Sequence, residues 1–154
     1  MYSSKEIIDI AVEIEDTGIH FYKKCSEKFK EENLKAIFVK LANEEVKHKE
    51  LFRDMLKRLP DIEGEWTDEY YLYLKALGQS QVFTNIAQMD EIVDGVVDID
   101  DIIKLAISAE KDSILWYNEL KDICEKDAET VKILKFIINE ERKHILEINR
   151  ISYK

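Results

Sequence analysis

The sequence predicts an all-α chain, a four-helix bundle built from two antiparallel helical hairpins, and three observations lead there. Four long segments space their apolar residues three and four apart, the pattern of one buried helix face. The chain is rich in Glu, Lys, Ile and Leu and contains a single proline, Pro60. A Glu-x-x-His unit occurs twice, in Glu45–His48 and Glu141–His144, 96 positions apart and in the same place within the second and fourth segments. At 154 residues the chain suffices for one domain, 1–154, and is too short for two with good cores.

The first stripe runs Ile8, Ala11, Glu15, Gly18, Tyr22, Cys25, Phe29. A polar break at Lys30–Asn33 separates it from the second, Phe38, Leu41, Glu45, His48, Phe52, Met55, which Pro60 ends because it cannot donate the next backbone bond. Residues 60–98 form a long connection with Trp66, Tyr70, Tyr71, Tyr73 and Phe83. Within it Leu72–Leu77 reads as a short helix ending at Gly78, its aromatics packing on the bundle or a second subunit. The third stripe is Ile103, Ala106, Glu110, Ser113, Tyr117, Leu120, Cys124, with Asp98 placed to cap it. The fourth, capped by Asp127, is Leu134, Ile137, Glu141, His144, Ile148, Ile151. One long crossover between two hairpins is the ferritin-like variant of the four-helix bundle.

The hairpins look like an internal repeat. Glu15 corresponds to Glu110 and Tyr22 to Tyr117 at an offset of 95, and Glu45 to Glu141 and His48 to His144 at 96. Each half then supplies one Glu and one Glu-x-x-His, and a pseudo-twofold axis is expected through the place where they meet. Residues three apart on a helix point within about 60° of each other. Glu15, Glu45, His48, Glu110, Glu141 and His144 therefore all lie on the buried stripes and can hold two metal ions. Four carboxylates there with no counter-charge would cost several kcal/mol each.

Other features narrow the function. With 23 basic and 33 acidic residues the net charge is −10, and no basic patch is available for nucleic acid. No stretch approaches membrane-spanning length and the opening residues lack a secretory apolar run, so a cytoplasmic location is expected. Cys25 and Cys124 form no Cys-x-x-Cys and read as buried core thiols. His20 reads as a boundary residue, and Glu44 and Glu140, one position off the stripes, as parts of a solvated face.

The repeated Ala-x-x-x-Glu-(x)5-aromatic-Tyr pattern (Ala11 to Tyr22, Ala106 to Tyr117) and the repeated Glu-Glu-x-x-His resemble the rubrerythrin branch of the ferritin-like di-iron proteins, over essentially the whole chain. The resemblance implies the six ligands named above, with Glu45 and Glu141 bridging both metals. It also implies that Tyr22 and Tyr117 each bond a ligand carboxylate of the opposite hairpin. Two departures stand out. The rubredoxin-like site of four cysteines is missing, so electrons would come from another molecule, such as a rubredoxin-like protein. Where the family carries a further carboxylate that exchanges with a histidine, this chain has Ser113, with Gly18 as its counterpart. Val46 replaces the haem-binding methionine of bacterioferritins, and haem is not expected.

Imidazole with carboxylate oxygen suits iron or manganese, and zinc can also occupy such a site. Two iron ions are the expected cofactor. The expected function is an oxidoreductase that reacts with O2 or hydrogen peroxide, as a homodimer. The alternatives are a ferroxidase or iron store, and a metal-binding module without turnover.

Overall fold

The computed structural model describes residues 3–60, 67–79, 86–96 and 98–151. The chain is all-α, with four long helices: α1 (Ser4–Lys28), α2 (Glu32–Arg58), α5 (Ile99–Ile123) and α6 (Ala128–Ile151). Two shorter ones, α3 (Asp68–Gln79) and α4 (Ile86–Gly95), lie in the crossover.

Local chemistry sets the ends. Ser3 and Glu6 form a capping box at the start of α1, each side chain accepting from the other's backbone N–H. Asp98 caps α5 by accepting from Asp100 N. Asp127 accepts from Thr130 N through its side chain and from Val131 N through its carbonyl, which starts α6. Arg58 at the end of α2 reaches both Asp127 (2.9 Å) and Thr130 (2.8 Å), tying the two hairpins together at this end. Leu59 closes α2 ahead of Pro60, as expected. The break between α1 and α2 falls at Phe29–Glu31, so Asn33 lies inside α2. Glu31 at the N-cap makes no side-chain capping bond, and a boundary without one is poorly marked in the sequence.

The crossover holds two helices where the apolar pattern suggests one. Thr67 Oγ1 accepts from Tyr70 N, which starts α3 four residues before Leu72. α4 buries only Met89 and Val93, too few positions for a period to stand out. Tyr70 and Tyr73 both donate to Glu119 on α5 (2.7 and 3.0 Å), so these aromatics do pack on the bundle. Trp66 and Phe83 lie outside the described residues, as does the side chain of Tyr71.

α1 packs along α2 and α5 along α6, and the hairpins meet through α1 with α5 and α2 with α6. Tyr22 meets Glu110 while Tyr117 meets Glu15, so α1 and α5 run in opposite directions, consistent with a pseudo-twofold axis lying across the helices. The interior has two apolar clusters. One gathers Ile8, Phe52, Met55, Trp116, Leu120 and Leu134 and is covered by Leu74 of α3. The other gathers Phe21, Phe38, Leu41, Ile102 and Ile148 and is covered by Met89 and Val93 of α4. Between the two clusters, in chain position on all four long helices, lie the six polar residues singled out above. Cys25 and Cys124 are buried free thiols, with pKa values pushed up by burial to about 12 and about 11. No helix among the described residues is long and apolar enough to cross a membrane.

Candidate metal centre

Each long helix sends residues of its buried stripe into this middle layer: Glu15 from α1, Glu45 and His48 from α2, Glu110 from α5, Glu141 and His144 from α6. None is more than 4% exposed. They form two overlapping groups, Glu15–Glu45–His48–Glu141 and Glu45–Glu110–Glu141–His144, and within each group ligand atoms lie within 4.8 Å of one another. Glu45 and Glu141 belong to both groups. His48 Nδ1 lies 2.8 Å from Glu141, 3.7 Å from Glu15 and 3.9 Å from Glu45. His144 Nδ1 lies 3.0 Å from Glu45, 3.2 Å from Glu110 and 3.3 Å from Glu141. The two imidazoles stack with centroids 5.7 Å apart.

The electrostatics of this layer are those of a site built for cations. Burial, then the charges of Glu45 and Glu141, push the Glu15 carboxyl well above its usual range. Burial, then Glu110 and Glu45, do the same to Glu141. Burial also opposes ionisation of Glu45, but the Glu15 carboxyl and the two imidazoles hold it down at about 2. Burial lowers His48, against the pull of Glu45. It would lower His144 too, but Glu110, Glu141 and Glu45 around Nδ1 outweigh it and raise that imidazole. These effects together favour protonation of Glu15, Glu141 and His144, which offsets the layer's own negative charge. Glu15 Oε2, Glu45 Oε1, His48 Nδ1 and both Glu141 oxygens still have no hydrogen-bond partner among the described residues. Buried polar atoms without partners are costly, and here they converge from separate helices on common points. The donor set of carboxylate oxygen and imidazole nitrogen fits iron or manganese.

Two phenols steady the layer. Tyr22 donates to Glu110 Oε1 and Tyr117 to Glu15 Oε1, each crossing to the opposite hairpin. Burial, then the charge of the accepting carboxylate, pushes both phenols well above their ordinary range, so both stay protonated and keep donating. Gly18 lies against Glu45: a Cβ there would stand 3.5 Å from Glu45 Oε2. Ser113, its counterpart, turns its hydroxyl back to Ala109 O at 3.1 Å and leaves the layer alone.

The sequence profile of the rubrerythrin family matches residues 6–151. The chain belongs to the rubrerythrin family. Among solved structures, this rubrerythrin-family chain is similar to a Thermotoga maritima protein described as a candidate ferritin-like diiron-carboxylate protein. The identity is 25% and the TM-score 0.73, over 99% of this chain and 96% of that one. A hypothetical protein of Pyrococcus furiosus shares the fold, with 22% identity and a TM-score of 0.67 over 99% of this chain and 89% of that one. A search of curated proteins found no match.

Two glutamates of this rubrerythrin-family site depart from the sequence expectation. Glu44 is not simply part of a solvated face: its Oε2 lies 2.6 Å from His144 Nε2. The signal was available in principle, because a histidine that offers Nδ1 inward needs an acceptor for its outer N–H. Which residue supplies it depends on how α2 packs against α6, and helix periodicity alone does not give that. Glu140 is not simply part of a solvated face either: it groups with Glu44 and His144, ligand atoms within 4.8 Å of one another, while also pairing with exposed Lys143 at 3.3 Å. His20, at the edge of the buried face of α1, bonds Asp90 of α4 at 2.9 Å.

Proposed function

We propose that this protein is a di-iron oxidoreductase that reduces O2 or hydrogen peroxide with electrons from a separate carrier, such as a rubredoxin-like protein. The observation that carries the proposal is the pair of overlapping ligand groups sharing Glu45 and Glu141. Glu15 and His48 would complete one metal position, Glu110 and His144 the other. Two iron ions so held would supply two electrons in passing from ferrous to ferric, enough with two protons to take one hydrogen peroxide to two waters.

The chain's own residues do the rest. Four carboxylates balance two divalent ions in surroundings that exclude water. Glu45 and Glu141 face both positions, so their oxygens can redistribute as the charge changes while the helices stay in place. Gly18 leaves the Glu45 carboxylate room to do so. Tyr22 and Tyr117 hold Glu110 and Glu15 in orientation through their O–H groups. The family membership supports the iron.

The test is stopped-flow mixing of the reduced, iron-loaded protein with peroxide and with O2 in parallel. Oxidation complete within the mixing series, followed by repeated turnover when reductant is resupplied, is the expected result. A single oxidation with no second cycle, in a protein that sediments as a large hollow shell, would show an iron store instead. Reversible metal loading with no oxidant consumed would show a module without turnover.

A further inference from the structure

The two halves of the site match residue for residue in their ligands, yet their surroundings differ. His144 Nε2 meets Glu44 Oε2 at 2.6 Å, and the other Glu44 oxygen faces Lys40 Nζ at 4.0 Å. Lys40 itself bonds Glu147 of α6 at 2.7 Å. The pseudo-twofold axis would bring Glu140 to His48 in the same way. Glu140 instead lies beside Glu44 and His144, within 4.8 Å, with its Oε1 paired to Lys143, and no hydrogen bond joins it to His48 among the described residues.

We propose that Glu44 is a positioning residue that makes the two metal positions unequal, so that the Glu110–His144 position fills first and binds more tightly than the Glu15–His48 position. The inference rests on the metal reading of the site given above. A histidine ligates through the lone pair of a neutral ring nitrogen. A carboxylate that accepts the Nε2 proton selects the tautomer whose Nδ1 lone pair points inward, fixes the ring plane and makes that nitrogen more basic. His144 has this help, and among the described residues no carboxylate hydrogen-bonds the outer nitrogen of His48. Removing such a partner weakens metal binding by about 10–100-fold.

The experiment uses the whole chain labelled with 15N at histidine, stripped of metal and titrated with Zn2+ alone. Only three histidines contribute signals, and His20, bonded to Asp90, serves as the internal reference. In the unaltered protein the first equivalent is expected to shift His144 and the second His48. Glu44→Ala is expected to weaken the first step by about 10–100-fold and abolish the order. Glu44→Gln keeps an accepting oxygen without charge and should fall between the two, which also covers the case in which the alanine variant folds poorly. Glu140→Ala should keep the order. Simultaneous shifts of both histidines in the unaltered protein, or an order that survives both Glu44 variants, would overturn the inference while leaving the metal site standing. No zinc binding at all would overturn both together.

Discussion

At the scale of single residues, the six inward side chains divide into two kinds. Glu45 and Glu141 belong to both groups of ligand atoms, whereas Glu15, His48, Glu110 and His144 belong to one each. Glu45→Ala or Glu141→Ala should therefore empty both positions, and Glu15→Ala or Glu110→Ala should leave about one ion per chain. Metal analysis after reconstitution reads the difference, and equal losses from all four would show that no carboxylate is shared. A neutral substitution of similar shape should act in the opposite sense on the bare fold. Taking away a buried carboxyl that must hold a proton relieves a desolvation penalty, so Glu15→Gln is expected to raise the melting temperature of the stripped protein. That these six side chains share one buried layer was legible in the sequence, because helical spacing puts them on the same stripes as apolar residues. The contact of Glu44 with His144 was not, since the two are 100 residues apart and come within reach only through the packing of α2 on α6.

At the scale of elements, the long helices announce themselves through many turns of consistent pattern, and α4 does not. Ten residues with two buried side chains give periodicity little to work with, and the helix exists because the second apolar cluster needs a cover. The start of α1 is the opposite case, since Ser3 and Glu6 at capping-box spacing mark it locally. Met89 is fully buried in that cluster, so Met89→Ala should destabilise the fold by about 2–5 kcal/mol. Its metal content should stay unchanged, because Met89 lies away from the ligand layer. Urea unfolding with metal analysis tests both halves of this expectation. A neutral result would mean that α4 lies loosely on the bundle and contributes little.

At the scale of the whole molecule, protons and metal ions compete for the same layer. The raised groups, Glu15, Glu141 and His144, stabilise the metal-free fold at low pH, and that contribution is lost as pH rises through their folded values. Glu45 and His48, held low, contribute in the other direction, but their losses come only as pH falls, below about 4.5 for Glu45 and about 6.5 for His48. From about pH 7 to about pH 9 the metal-free protein should therefore lose stability, by up to about 1.4 kcal/mol per pH unit for each proton that only the folded chain still holds. Metal-loaded protein should show a higher and flatter melting curve over the same range, since the ions replace those protons. Parallel melting series with and without Mn2+ check the sign. The crossed phenols carry a further consequence. Because Tyr22 serves a carboxylate borne by the second hairpin and Tyr117 one borne by the first, neither half is self-sufficient. A peptide ending before the crossover would present three ligand side chains with nothing to orient its glutamate on α1. Mixed with its complementary fragment, it would regain that donor and give one back, so the halves of this chain are partners by exchange.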